Sequence, residues 1–426
     1  MSVTDRDAEL AAYDEFARRV VDGKILTDPW LDGKPRFRRE PLFVAPELQR
    51  ALYRAAEEVA SVYNELCLIV SDHPELLDDF FGLTPFQKAM WLASTPLWHG
   101  LARADVFVTD EGLAFAELNC DTPTGEAEAV LLNALTVGEH RAAGAVDPNV
   151  ELEPRFVAMV EALAARELGP DYPRTVGIVY PTEMTDDLAI VRLYRAWFEA
   201  RGYKVVLGSP YNLSSRGDDE DPVLRLFDTP FAIMLRHYKT DWWGERVTAW
   251  DDAVIADKEP LDGPLRATLE SSVSGRCAVV NPFGAVLPQN KRAMAFMWEH
   301  IHRFSPRAEA IIQRHIPVTS RLETMHTEQL LAQKNEWVLK SDYGAEGDEV
   351  ILGRRVTDDI WRASIAHARA GHWIAQRYFE AHTNAESETV NYGVFLIAGE
   401  ASGLYARVHE GPTDDHAVSV PALVKA

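Results

Sequence analysis

The chain has 426 residues, 47% of them hydrophobic and 26% charged, an ordinary balance for a folded protein with a substantial core and enough length for two or three structural units. A formal charge of -23 argues against nucleic acid, whose phosphates require a basic surface, and it favours divalent cations and amines, although acidity for solubility alone gives the same figure. No apolar run approaches the roughly 20 residues of a membrane span, and the three cysteines, Cys67, Cys120 and Cys277, fit no disulfide or metal spacing.

The start, Met1 to Asp7, carries neither a basic region nor an apolar stretch, so a cytoplasmic protein is expected. Up to residue 96 the pattern is mainly helical. Pro46 through Val70 places Leu52, Ala55, Val59, Val62, Tyr63 and Leu66 on one stripe, and Thr84-Pro85 reads as a cap followed by proline at the first helical position. Arg103 to Asn119 then reads as a β-hairpin. Asp110-Glu111-Gly112 is a turn signal, and a three-residue loop would pair Thr109 with Leu113, Asp105 with Glu117 and Arg103 with Asn119. Strand alternation puts Arg103, Asp105, Glu117 and Asn119 on one face, with Val106, Val108, Ala114 and Leu118 on the other. Two carboxylates and an amide oxygen suit a hard cation such as Mg²⁺, which shares its ligands with phosphates and so implies a nucleotide. The polar face of an ordinary hairpin accounts for the same pattern, and a loop one residue different would break the alignment. Cys120 is expected on the packed face rather than as a nucleophile.

After a helix near Glu126 to Leu135, a loop with Gly144 and Pro148 marks a boundary. Thr175 to Tyr180, a helix from Asp187 to Arg201 ended by Gly202, and Lys204 to Leu207 form a β-α-β unit without a G-x-G-x-x-G, so dinucleotide binding is not supported. Ser209 to Pro222 is expected as a polar surface loop. Phe231 to Tyr238 is a further strand whose Arg236 suits either a substrate carboxylate or a structural salt bridge. Leu287 to Lys291 opens a helix carrying Met294, Met297, Trp298 and Ile301. Glu336 to Ser341, the loop Asp342 to Glu349 and the run Val350 to Leu352 read as a glycine-bearing flap whose backbone N–H groups approach phosphates. Trp373 to Ala381 is a buried strand with a polar linker, and Val390 to Ile397 turns at Gly399 to Gly403 into Leu404 to Val408.

The hairpin and its continuation, Cys120-Asp121-Thr122-Pro123-Thr124-Gly125-Glu126, resemble the synthetase domain of the glutathionylspermidine synthase-like family, and the order of the later segments follows that family from about residue 97 to the end. The resemblance implies an α/β (α+β) class: a circularly permuted ATP-grasp fold with a Rossmann-like pre-ATP-grasp domain and an N-terminal helical region. The implied division is 1–96 helical, 97–140 the permuted Mg-binding part, 150–286 Rossmann-like and 287–426 nucleotide-binding. By resemblance Asp105, Glu117 and Asn119 hold Mg²⁺, and Arg103 and Arg407 are catalytic. ATP meets Lys291, Lys340, Gly344, Glu346, Gly347, Gln376 and Tyr378, while Asp121, Thr122, Thr124 and Arg236 line the acid-substrate pocket. The implied activity is ATP-dependent ligation of a small-molecule or peptide carboxylate to an amine, an amino acid or a polyamine, through an acyl phosphate. A kinase-like phosphotransferase and a catalytically weak nucleotide-binding regulator are the alternatives. Two departures leave the acid and the amine open, along with the oligomeric state: Ala345 stands where the family's flap carries arginine, and Asn281-Pro282-Phe283-Gly284 replaces a Glu-Pro-aromatic stretch.

Overall fold

The computed structural model describes residues 3–31, 33–95, 97–182, 184–185, 187–216, 223–244, 261–344, 349–411 and 417–425. Among them, a five-stranded antiparallel sheet joins early and late parts of the chain. Its order is Val418–Val420, Glu400–His409, Thr389–Ile397, Leu101–Thr109, Gly112–Asn119. The central strand Thr389–Ile397 is buried at every position, and it sets Gly393 opposite Asp105 on the earlier hairpin.

Both hairpins in this sheet turn more tightly than the sequence spacing predicts. Thr109 pairs with Gly112 and Val108 with Leu113, so Asp110-Glu111 is a two-residue turn rather than part of a three-residue loop. Gly112 takes the left-handed φ of 124° that this closure needs. A bulge then restores the expected pairs, Asp105 with Glu117 and Arg103 with Asn119, leaving Ala116 outside the ladder. Because the bulge inserts one residue, Phe115 and not Ala114 joins Val106 and Leu118 on the core face. In the late hairpin Ile397 pairs with Glu400, so the turn is Ala398-Gly399 rather than Gly399 to Gly403, and a second bulge leaves Ser402 unpaired.

A parallel sheet, in the order Ala278–Val280, Ile233–Arg236, Thr175–Val179, Lys204–Gly208, packs against the helices Leu152–Leu168 and Leu188–Ala200. The expected loop after Ser209 instead holds a strand, Leu213–Arg216, paired antiparallel with Val223–Leu226; residues 217–222 lie outside the described residues. A third sheet, antiparallel throughout, runs Thr319–Arg321, Trp373–Arg377, Trp337–Ser341, Val350–Leu352. The helix that follows Lys291 is Arg292–Glu299, and Ile301 falls in the 3₁₀ turn after it.

The N-terminal region contains the helices Val3–Asp22, Pro46–Asp72, Leu76–Asp79 and Pro85–Ser94. Pro46–Asp72 buries the whole expected stripe, each large apolar side chain contributing about 1.5–3 kcal/mol relative to exposure. Thr84 closes a capping box with Gln87 ahead of Pro85. The region is not helical alone: Leu42–Val44 pairs in parallel with Ala422–Val424, tying it to the end of the chain. No helix among the described residues is long and apolar enough to cross a membrane.

Candidate functional site

The polar face of the early hairpin is a network of charges. Arg103 grips Asp105 through two nitrogens, Nε to Oδ1 at 2.7 Å and Nη2 to Oδ2 at 3.1 Å, and its Nη1 donates to the Thr124 carbonyl at 2.6 Å. Gly393 makes room for this arginine, since a Cβ there would stand 2.9 Å from Arg103 Cδ. From the late hairpin, Asn391 Nδ2 donates to Asp105 Oδ2 at 3.3 Å and Arg407 Nη2 lies 3.4 Å from the same oxygen. Beside them Asn119 Nδ2 donates to Glu117 Oε1 at 3.1 Å.

Two lysines from the late part of the chain reach this hairpin. Lys291 Nζ stands 3.4 Å from Glu117 Oε2 and donates to the Gly344 carbonyl at 2.5 Å, while its backbone N–H donates to Asp342 O at 2.8 Å. Lys340 Nζ donates to Gln376 Oε1 at 2.8 Å and to the carbonyl of the bulged residue Ala116 at 3.1 Å. The bulge that repairs the register therefore also furnishes a lysine acceptor. Gln376 is fixed in turn by donating to Thr319 Oγ1 at 3.1 Å. Burial opposes ionisation of Glu117, but Lys291 and Lys340, helped by the Asn119 amide, hold its carboxyl at about 2. Burial pushes Lys340 down to about 8 against the attraction of Glu117.

The loop after the hairpin is clamped from the parallel sheet. Asn281 Oδ1 accepts from the N–H groups of Gly100 and Leu101 at 3.1 and 2.8 Å, and its Nδ2 donates to the carbonyls of Leu101, Cys120 and Asp121. Gln289 Oε1 accepts from the N–H groups of Cys120 and Asp121 at 2.8 and 3.0 Å. Asp121 pairs with Arg236 at 2.5 Å and accepts from Thr240. Arg236 spends its other donors on the carbonyls of Asn281, Tyr238 and Pro282, which places it as a clamp on Asp121. Thr122, Pro123, Arg236, His237 and Tyr194 border a cavity at this seam.

Arg103, Asp105, Glu117, Asn119, Lys291, Lys340, Gly344, Gln376 and Arg407 thus lie in one connected network. Tyr378 lies apart from it: its N–H donates to Glu336 O at 2.9 Å and its ring lies under Arg354. Glu346 and Gly347 fall outside the described residues. Asn391 and Gln289 are not among the sequence-based site residues, and Asn281 stands out there only as part of a departure from the family's Glu-Pro-aromatic stretch. Asn391 carried a signal, a lone amide within the apolar run Val390 to Ile397.

Among the described residues no group of three or more His, Cys, Asp and Glu could hold a metal. The donor set that remains is oxygen only: Asp105, Glu117 and Asn119. The Asn391 Oδ1, buried beside Asp105 without a hydrogen-bond partner among the described residues, is a further acceptor. Such donors fit a hard cation of the Mg²⁺ kind, and a softer metal poorly. Cys120 is fully buried, and burial pushes its thiol well above the ordinary range, which leaves it inert.

A family model described as glutathionylspermidine synthase preATP-grasp matches residues 40–425. The fold is similar to that of a glutathione synthetase like-effector from Globodera pallida in its apo form, at a TM-score of 0.60 and 11% identity over 98% of this chain and 97% of that one. A protein described as a gamma-glutamylcysteine synthetase from Methylobacillus flagellatus KT is similar at a TM-score of 0.44 and 13% identity, over 90% of this chain and 87% of that one. No curated protein sequence matches the chain.

Proposed function

The chain belongs to the glutathionylspermidine synthase preATP-grasp family, and from that premise we propose that it is an ATP-dependent carboxylate–amine ligase working through an acyl phosphate. Its fold is the circularly permuted ATP-grasp arrangement with a Rossmann-like unit and an N-terminal helical region. One observation carries the proposal. Lys291 and Lys340, from segments far along the chain, converge on Glu117 and Ala116 of the early hairpin, so cations suited to phosphates stand over carboxylates suited to a hard cation.

A carboxylate is a poor acyl donor because its oxygen does not leave. Phosphorylation by ATP turns that oxygen into part of a mixed anhydride, whose phosphate leaves when an amine attacks. Lys291, Lys340 and Arg407 would neutralise charge as the γ-phosphoryl group moves. Arg103, held rigid by Asp105 and the Thr124 carbonyl, would orient the acyl phosphate. When bound on Asp105, Glu117 and Asn119, Mg²⁺ would supply charge to the nucleotide phosphates. Thr122 and Thr124 would border the acid.

Amino acids, small peptides and polyamines supplied in pairs with ATP and Mg²⁺ test the reading, scored by ADP release and product mass. ADP release that needs both an acid and an amine, with a product mass of their condensation, is expected. Transfer of phosphate onto a hydroxyl product would make the protein a phosphotransferase, and ATP binding without turnover by any pair would make it a regulator.

A further inference from the structure

Glu126 begins the helix Glu126–His140 directly after the hairpin's loop, and it is 1% exposed. Its Oε1 meets the Tyr194 hydroxyl at 3.5 Å, and its Oε2 has no hydrogen-bond partner among the described residues. A buried carboxyl with so little hydrogen bonding is costly as an anion and of little use as packing. Its surroundings are specific. Arg103 donates to Thr124, two residues before Glu126, at 2.6 Å, and on the other side Tyr194 borders the cavity shared by Thr122, Arg236 and His237. Glu126 therefore stands between the arginine of the reacting face and the wall of a cavity beside the substrate loop. The charged and titratable groups that face it are Arg103 from the strand, Glu128 from its own helix and Tyr194 from the helix Leu188–Ala200. Burial outweighs the backbone N–H of Glu126 itself and the charge of Arg103, and pushes its carboxyl up to about 8, in the range where a proton acceptor works at physiological pH.

An amine reaches a ligase as an ammonium ion, which has no lone pair for attack. We propose that Glu126, acting through the Tyr194 hydroxyl, accepts the proton that the amine must lose. The inference rests on the ligase reading above. The ammonium gives a proton to the Tyr194 oxygen as Tyr194 passes its own to the Glu126 carboxylate. The freed nitrogen lone pair forms the C–N bond, and the anhydride C–O bond breaks with its electrons leaving on phosphate. A second nitrogen proton departs with that phosphate as hydrogen phosphate, and Glu126 returns its proton to solvent once the amide has left.

Hydroxylamine separates this role from a structural one, because it is already neutral at physiological pH and needs no acceptor before attack. With the acid found by the pair screen, Glu126→Gln should slow amide formation by about 100-fold and replace a rate that levels off near pH 8 with one that keeps rising toward the pKa of the amine itself. Hydroxamate formation should stay at the wild-type rate. Tyr194→Phe should show the same split, and it carries the test alone should Glu126→Gln fail to fold. Equal loss of both products, loss of neither, or an unchanged pH profile in a folded variant would overturn the proposal. A wild-type protein that forms no hydroxamate with any acid would count against the ligase reading instead.

Discussion

At the scale of single residues the site depends on charges held close together at unequal depth. Glu117 is the least replaceable of them, since it stands on the face proposed above for Mg²⁺ and also pairs with Lys291. Glu117→Gln keeps the volume and the Asn119 contact, so the melting temperature should stay near wild type while Mg²⁺-dependent ADP release falls by several orders of magnitude; a folded variant with wild-type release would make this face structural only. Lys340 gives a pH dependence of definite sign. Burial lowers it to about 8, so it is charged below that pH and neutral above it. ATP affinity should be flat on the acid side and weaken on the alkaline side, by up to about tenfold per pH unit. Titration calorimetry with ATP across this range checks it, and a dissociation constant that does not change would contradict it. Glu126 is shifted in the opposite direction, and its effect is on stability. Its folded pKa lies above the ordinary 4.5, so the fold bears no cost from it in acid, and the cost grows as pH rises from there to about 8. Each unit is worth about 1.4 kcal/mol, so the stability of Glu126→Gln relative to wild type, followed by denaturant titration, should climb through that window and then level off.

At the scale of elements, the two hairpins explain what sequence patterning reveals and what it hides. The faces of Arg103, Asp105, Glu117 and Asn119 were legible because alternation is local. The turn lengths were not, since glycines near each turn suggested longer loops and nothing in the run Leu113 to Leu118 announces a bulge. Two errors cancelled: a shorter turn shifts the register by one residue, and Ala116 shifts it back. Phe115 shows the remainder, as it takes the core position expected for Ala114. Pairing of Leu101–Thr109 with Thr389–Ile397 leaves no local pattern either, and only the resemblance ordered those segments. That pairing has a consequence at Gly393, where a methyl group would press on Arg103 at 2.9 Å. Gly393→Ala should cost about 1–3 kcal/mol in stability, with a larger effect on turnover because Arg103 must leave its bidentate grip on Asp105. Denaturation paired with ADP release decides it, and full turnover would contradict the assignment of Arg103.

At the scale of the molecule, an early hairpin, residues 101–119, and late strands, residues 389–420, form one sheet, while the parallel sheet between them in sequence clamps the loop at Asp121. We propose that the helical region ends near residue 96, that 97–140 and 287–426 together form the ligase unit, and that 150–286 is the Rossmann-like unit whose Arg236, Thr240 and Asn281 hold the substrate loop in place. In the ligase reading proposed above, ATP activates a carboxylate at this sheet. That reading is tested most directly by following isotopically labelled oxygen from the carboxylate of the acid substrate during turnover with ATP and the amine. One labelled oxygen is expected in the inorganic phosphate released, with ADP as the other product. Label recovered in AMP, or phosphate free of label, would contradict it.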